Sequence, residues 1–316
     1  MPLAVALIGA GRLGARVGQA LAQIERLDRL HIVEPGRDAA QAAREIIDAV
    51  APETADFHNS IDTLPEALDA AFICTRADVR RDVIEALLSR VSVKRLVLEK
   101  VLFQRVEDFD WALDRLDGID TFVHCPRRLW PGYEALKRRT AGAPWVEAHL
   151  VGAGLNIASN LVHVIDAFRF VSGGALESVE RCELDPAEPA NRSGTFEVYG
   201  RMAFSGPRGG LSIAAMRGGP AAVLQYTWPE GVAVIDEAGA SLRLACAEND
   251  WRWSEERFET LLASQCASAF GEICRGEPGR LPRLAESVQD HRLVWRALAP
   301  AFSIDDPLRS ATLPIT

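Results

Sequence analysis

The chain has 316 residues, of which 48% are hydrophobic and 25% charged, so it is long enough for two globular domains. Its net charge of −9 is spread along the chain, which disfavours a nucleic-acid partner but not the binding of a small anion. No apolar run reaches the roughly 18 residues of a membrane span. The N-terminus lacks the basic region of a signal peptide, and the six cysteines form no CxxC pair. We therefore expect a cytoplasmic protein with reduced cysteines, no metal site and no membrane partner.

Apolar runs alternate with amphipathic segments through the first 125 residues. The apolar runs predict strands at Leu3–Ile8, Leu30–Glu34, Ala71–Thr75, Leu96–Glu99 and Thr121–Cys125. The amphipathic segments predict helices at Arg12–Ile24, Asp38–Val50, Val79–Ser89 and Val106–Leu116. Strands and helices that alternate across short connections predict a doubly wound α/β domain over residues 1–125, with a parallel sheet covered on both faces.

The pattern changes after residue 125. Helices are predicted at Arg127–Thr140, Asn160–Val171, Ser254–Ile273 and Leu284–Leu298. Strands are predicted at Trp145–Val151, Leu176–Leu184, Thr195–Phe204, Leu211–Met216, Ala222–Trp228, Val232–Asp236 and Leu242–Cys246. Most of these strands follow one another across turns, which predicts a large, mainly antiparallel open sheet in an α+β domain over residues 126–316. A sheet with one uncovered face usually packs against another subunit, so we expect a homo-oligomer, either a dimer or a tetramer.

The run Gly9-Ala10-Gly11-Arg12-Leu13-Gly14 follows the first strand and opens the first helix, as in the Rossmann dinucleotide-binding motif. The first glycine permits a tight turn, the second lets the backbone approach a pyrophosphate, and the third lets helix and strand pack closely. Backbone N–H groups at the start of the helix are then expected to bind the phosphates. A glycine turn without a ligand is the alternative interpretation, although the strand before the run and the helix after it favour a dinucleotide.

Acidic and polar residues at later strand ends extend this predicted cofactor site. Glu34 lies about 20 residues after the glycine run, where an acid accepts hydrogen bonds from ribose hydroxyls. A carboxylate repels a 2′-phosphate, so we expect NAD, with NADP as the alternative because Arg37 lies nearby. Thr75 and Arg76 lie at the end of the strand predicted at Ala71–Thr75 and are expected beside the nicotinamide. A solvated loop charge is the alternative role of Arg76.

Glu99 and Lys100 end a buried strand at the sheet edge where open α/β sheets bind ligands. The order of glycine motif, acid after the second strand and Glu-Lys at this point resembles the glucose-fructose oxidoreductase / inositol dehydrogenase / MocA (Gfo/Idh/MocA) family. The resemblance implies that Glu99 and Lys100 line the cofactor site and that Lys100 is catalytic. Family members carry a proline at the position of Val101, so this chain departs from the motif there.

The segment His124–Tyr133, HCPRRLWPGY, is similar to the family's crossing into its second domain. The resemblance implies that Arg127, Arg128 and Tyr133 contact the substrate. One of the two arginines is expected to bind a carboxylate or phosphate with two hydrogen bonds, while the other is structural. A core or interface position is the alternative for Tyr133.

A second segment resembles the family's helix that carries a histidine and an aspartate. Asn160, His163 and Asp166 recur every three residues and form one polar stripe on an otherwise apolar helix. Ser159 stands where many family members have a further aspartate. A buried hydrogen-bonded cluster is the alternative interpretation of the stripe. The combination of both segments is similar to a subgroup associated with capsule and nonulosonic-acid sugar pathways.

These features predict an NAD(P)-dependent oxidoreductase that transfers a hydride between nicotinamide and a sugar, nucleotide-sugar or polyol. We expect Lys100 to contact the reacting oxygen, His163 to assist proton transfer, and Asp166 to tune their pKa values. An ion pair with Glu99 or Asp166 is the alternative role of Lys100. Two other functions stay open: a dinucleotide-binding sensor or partner protein without turnover, and an enzyme that retains NAD and oxidises its substrate transiently.

Overall fold

The computed structural model describes residues 2–189, 196–304 and 312–315. Its α-helices, in chain order, are α1 Arg12–Leu21, α2 Arg37–Asp48, α3 Arg80–Leu88, α4 Glu107–Arg115, α5 Pro131–Thr140, α6 Ile157–Ser172, α7 Ala267–Arg275 and α8 Leu284–Leu298. The first strands are β1 Leu3–Ile8, β2 Leu27–Val33, β3 Ala55–His58, β4 Ala67–Leu68, β5 Ala70–Ile73, β6 Ser92–Val93, β7 Arg95–Leu98 and β8 Asp120–Val123. The later strands are β9 Val146–Ala153, β10 Ser178–Leu184, β11 Glu188–Pro189, β12 Phe196–Glu197, β13 Gly200–Gly206, β14 Gly209–Met216, β15 Val223–Trp228, β16 Gly231–Asp236, β17 Ser241–Cys246 and β18 Ser254–Arg257.

The chain divides into two compact units that differ from the predicted division at residue 125. The first unit contains Met1–Phe103, Asp108–Pro126 and Leu261–Ala285. The second contains Gln104–Glu107, Arg127–Thr260 and Glu286–Thr316. The predicted assignment of everything after residue 125 to one domain misses the return of the chain to the first unit. The chain returns because α7 packs in that unit. The ring of Phe270 on α7 meets the ring of Phe72 on β5 edge-on, with 4.9 Å between the ring centroids.

The first unit is built on a six-stranded parallel sheet with the order β3-β2-β1-β5-β7-β8. The prediction of a doubly wound parallel sheet is confirmed. Its central strands are almost entirely apolar and most of their residues are buried, as such a sheet requires. The sequence interpretation missed β3, whose four residues include only one that is buried. The order reverses around β1 and β5, so ligands are expected where these strands end.

The second unit is built on an eight-stranded sheet with the order β10-β13-β14-β9-β15-β16-β17-β18. Only the pairing of β14 with β9 is parallel among the described strand pairs of this sheet, so the prediction of a mainly antiparallel sheet is confirmed. Side chains of β9 alternate, with Ala148 and Leu150 buried and His149 and Val151 exposed. The expected homo-oligomer stays a prediction.

Two predicted helices of the second half are wrong in their extent. The helix predicted at Ser254–Ile273 is replaced by strand β18, a short 3-10 turn and helix α7. Backbone pairing of β18 with β17 at the sheet edge overrides the local helical pattern. The helix predicted at Arg127–Thr140 is a 3-10 turn at Pro126–Leu129 followed by α5, which begins at Pro131. A proline disfavours helical conformation in the residue before it, and Trp130 is accordingly extended.

The strand predicted at Thr195–Phe204 begins outside the described residues, and its described part divides into β12 and β13.

Candidate functional site

The glycine run forms the turn between β1 and α1. Gly9 has φ +91°, and a Cβ atom on Gly14 would lie 2.0 Å from the carbonyl oxygen of Gly9. The helix therefore packs directly on the turn, as the motif requires. Gly11 precedes the helix as its N-cap and has no neighbouring atom within 4 Å of an added Cβ, so its surroundings are open.

The start of α1 has the features of an anion-binding helix terminus. No side chain caps it, and its first turn contains no acidic residue. Arg12 and Leu13, which occupy that turn, are exposed. The backbone N–H groups of a helix's first turn lack partners within the helix and carry partial positive charge, which favours a phosphate there.

Glu34 is anchored to the glycine turn through its carboxylate. Its Oε2 accepts a hydrogen bond from the Ala10 N–H at 2.8 Å, and its Oε1 accepts one from the Gly36 N–H at 2.9 Å. Both bonds fix the carboxylate directly after β2, beside the turn. An open helix terminus, an unobstructed glycine and a fixed acid fit a bound dinucleotide, whose phosphates and ribose would lie against these three groups.

Residues after β5 and β7 lie on the same edge of the sheet, because the two strands pair in parallel. Thr75 is half-buried, while Arg76 is exposed and its Nε donates to Asp78 at 3.1 Å. This ion pair agrees with the alternative of a solvated charge. Lys100 is half-buried directly after β7, and the peptide bond that joins it to Val101 is cis.

Glu99 is held by a buried histidine that sequence reasoning did not single out. Nδ1 of His124 lies 2.7 Å from Oε2 of Glu99, and both side chains are buried. Burial alone lowers the pKa of His124, but the Glu99 carboxylate and a hydrogen bond with Cys266 outweigh it and raise the pKa to about 9. The raised pKa favours the protonated imidazole at neutral pH, and this form donates a hydrogen bond to Glu99. The signal was present in the sequence, because His124 follows β8 just as Glu99 follows β7.

Arg80 is a second residue that sequence reasoning missed. It opens α3 and is 1% exposed. Its Nη1 donates to the carbonyl oxygen of Val101 and, at 2.7 Å, to the carbonyl oxygen of Leu102. Its Nη2 donates to the carbonyl oxygen of Thr75. Nothing in the local pattern marked this arginine as different from its exposed neighbours.

In the second unit, Arg127 and Tyr133 share one carboxylate partner. Arg127 donates from Nε and, at 2.7 Å, from Nη2 to Glu237, and the Tyr133 hydroxyl donates to the same carboxylate at 2.5 Å. Tyr133 is fully buried, which agrees with the alternative of a core position. The expected anion-binding surface of Arg127 is occupied by a carboxylate of the protein itself.

Arg128 is paired with the aspartate of the polar stripe. Its Nε donates to both oxygens of Asp166, at 2.9 and 3.1 Å, and its Nη2 lies 2.7 Å from Oδ1. Burial raises the pKa of Asp166, and the Arg128 charge opposes that shift. Asp166 is 1% exposed, so the structure places it in a buried ion pair of the second unit, in agreement with the alternative interpretation of the stripe.

The other members of the stripe are less buried. Asn160 and His163 are both half-buried on α6, and Nδ2 of Asn160 donates to the carbonyl oxygen of Leu155 at 3.1 Å. The Ser159 hydroxyl donates to the carbonyl oxygen of Asn156 at 3.2 Å and so takes part in the first turn of the helix. The stripe thus divides into a buried ionic end and a more accessible end with an imidazole.

Residues 3–118 match the family model GFO_IDH_MocA, described as an oxidoreductase family with an NAD-binding Rossmann fold. The predicted resemblance to the Gfo/Idh/MocA oxidoreductases is confirmed over these residues. The predictions of an oxidoreductase and of NAD as cofactor are thereby confirmed at the level of the family. No curated protein sequence matches the chain.

Several solved structures share the fold over nearly the whole chain. UDP-N-acetylglucosamine 3-dehydrogenase GnnA from Acidithiobacillus ferrooxidans has a TM-score of 0.70 at 16% identity, covering 94% of this chain and 97% of that one. An oxidoreductase from Agrobacterium radiobacter in complex with NAD+, L-tartaric acid and magnesium has a TM-score of 0.73 at 13% identity, covering 95% and 96%. A super-repressor mutant of Gal80p from Saccharomyces cerevisiae has a TM-score of 0.71 at 12% identity, also covering 95% and 96%. At such identities the likeness establishes the fold and leaves function to the site.

The candidate site is made of side chains and backbone groups. Within residues 2–189, 196–304 and 312–315, no group of three or more His, Cys, Asp or Glu side chains is arranged to hold a metal ion. No disulfide bond joins any of the six cysteines, which all lie in the described part of the chain, and all but Cys74 and Cys182 are buried. In the described part of the chain, no helix has the length and apolar character needed to cross a membrane.

Proposed function

We propose that the chain is an NAD-preferring oxidoreductase that oxidises or reduces a hydroxyl-bearing carbon of a sugar, nucleotide-sugar or polyol. The observation that carries the proposal is the anchoring of Glu34 to the glycine turn, on the same sheet edge that carries Lys100. The name of GnnA, a nucleotide-sugar dehydrogenase, supports the substrate class. NADP is disfavoured because the fixed Glu34 carboxylate would repel a 2′-phosphate.

Lys100 is the proposed group that contacts the reacting oxygen. When bound, NAD supplies the hydride acceptor, and the protein must supply the proton chemistry at the oxygen. An ammonium donates hydrogen bonds to an oxygen that gains negative charge as its proton leaves. His163 is proposed to accept that proton, because a half-buried imidazole is suited to proton exchange near neutral pH.

The test of Lys100 uses NAD reduction at 340 nm with a panel of sugars, nucleotide-sugars and polyols. We expect Lys100→Ala to lower turnover by about 100-fold or more, the scale of lost acid/base catalysis, while NADH affinity in fluorescence titrations is unchanged. Lys94→Ala is the matched control, because Lys94 pairs with Asp69 at the surface of the same unit. Turnover of Lys100→Ala within threefold of the unmodified chain contradicts the assignment.

The test of His163 follows the same assay. His163→Ala should lower turnover and remove a limb of the pH–rate profile near neutrality. His149→Ala is its control, because His149 is exposed on β9 of the same unit. Equal turnover and equal pH profiles for the two variants contradict a proton-transfer role for His163.

A second candidate function is a dinucleotide-binding sensor or partner protein without turnover. The observation that favours it is the engagement of Asp166 by Arg128, together with Ser159 and Val101 at motif positions where the family has other residues. NADH binding without hydride exchange across the whole panel supports the sensor. A third function, transient oxidation with retained NAD, is separated from the first by product formation without NADH accumulation.

A further inference from the structure

The guanidinium of Arg80 joins two loops of the first unit. Its three carbonyl partners belong to Thr75, which comes shortly after β5, and to Val101 and Leu102, which follow β7. The strands β5 and β7 are neighbours in the parallel sheet. The arginine therefore fixes the backbone of both loops at the edge of the sheet that carries the candidate site.

Lys100 lies between two residues that other side chains hold in place. The residue before it, Glu99, is held through its side chain by His124 at 2.7 Å. The residue after it, Val101, is held through its carbonyl oxygen by Arg80. We propose that Arg80 is a positioning residue, whose buried guanidinium sets the place of the Lys100 backbone relative to Thr75. This inference rests on the proposed role of Lys100.

An arginine is suited to this task for geometric reasons. A planar guanidinium presents several N–H groups in a fixed fork and can bond to more than one carbonyl oxygen at once. A lysine ammonium keeps the charge, but it is a compact group on a flexible chain and cannot reproduce the fork. Burial lowers the pKa of Arg80 to about 10, and the Glu99 carboxylate opposes that shift, so the guanidinium keeps its charge at neutral pH.

The experiment compares Arg80→Lys and Arg80→Met with the control Arg81→Met. Arg81 is the next residue on α3 and forms an ion pair with Asp108, so the control removes an arginine without touching the loop carbonyls. The first readout is hydrogen–deuterium exchange of peptides that cover residues 75–77 and 100–103. The second is the pair of kcat and KM for a substrate that the unmodified chain turns over, together with NADH affinity by fluorescence.

We expect Arg80→Lys to speed exchange in both peptides by about tenfold and to lower kcat by about tenfold, with KM and NADH affinity within threefold. Arg81→Met should match the unmodified chain in every readout. Unchanged exchange and unchanged kcat in Arg80→Lys overturn the inference. A loss of kcat and of NADH affinity by the same factor also overturns the inference, because that result indicates general unfolding of the unit. Circular dichroism of Arg80→Met checks for such unfolding directly.

The outcome is separable from that of the proposed function. If the unmodified chain binds NADH but turns over no member of the panel, the proposed function fails, and exchange alone decides whether Arg80 holds the two loops. If the chain turns over a substrate and Arg80→Lys leaves kcat and exchange unchanged, the proposed function stands and the positioning role fails.

Discussion

Replacing Gly11 with alanine should make the protein without cofactor more stable and its cofactor binding weaker. Gly11 has φ −60° and ψ −171°, which alanine adopts freely, and an added Cβ would meet no atom within 4 Å. The substitution therefore does not destabilise the folded state, while it reduces the conformational freedom of the unfolded chain. The gain is about 0.4–1 kcal/mol, which corresponds to a rise in apparent Tm of about 1–4 °C for a chain of this size.

The same methyl group would occupy the open space in which the motif places a pyrophosphate. Losing one hydrogen bond from a backbone N–H to a charged phosphate costs about 1.5–3 kcal/mol, which is roughly a 10- to 150-fold weaker Kd. Differential scanning fluorimetry without and with NADH measures both effects in one assay, and a fluorescence titration gives the Kd. The two quantities should move in opposite directions.

Gly14→Ala is the contrasting variant. Its Cβ would lie 2.0 Å from the carbonyl oxygen of Gly9, so the turn or the helix must shift. Overpacking of this kind costs about 1–3 kcal/mol, and apparent Tm should fall even without NADH. NADH affinity of Gly11→Ala within twofold of the unmodified chain would refute the phosphate site, and an unchanged Tm of Gly14→Ala would refute the contact with Gly9.

Three further predictions test the surrounding groups. Glu34→Gln removes a charge facing a 2′-phosphate, and the ratio of NADPH to NADH affinity should rise by about tenfold; an unchanged ratio contradicts the role of Glu34. The raised pKa of His124 makes its pairing with Glu99 stabilising below pH 6.5, and that contribution is lost as pH rises through about 9. The loss amounts to about 3 kcal/mol in urea unfolding, and the pH dependence should flatten in His124→Gln. Asp166→Ala should lower the free energy of unfolding by about 3–5 kcal/mol because it leaves Arg128 buried without its main partner. If Asp166→Ala unfolds like the unmodified chain but loses turnover, Asp166 is catalytic rather than structural.

The first sheet could be predicted from the sequence because its central strands are almost entirely apolar and are flanked by amphipathic helices. The positions of Glu34 and Lys100 followed from one rule, that ligands bind where parallel strands end. The same rule applied to β8 would have paired His124 with Glu99, since the two residues end neighbouring strands. Strand β3 was missed because the polar residues Asp56 and His58 interrupt its apolar pattern.

In the second unit, the partners of charged side chains could not be predicted from local sequence patterns. One of Arg127 and Arg128 was predicted to bind a substrate anion and the other to be structural. Each meets a carboxylate of the chain, 110 and 38 positions away in sequence. No periodicity near residue 127 indicates Glu237, because their proximity depends on how the antiparallel sheet and its helices pack. A substrate anion at Arg128 would have to displace Asp166, which would leave a buried charge unpaired at a cost of about 3–5 kcal/mol. If the proposed substrate reaches these arginines, their pairing favours a neutral, hydroxyl-rich group there over a carboxylate or phosphate.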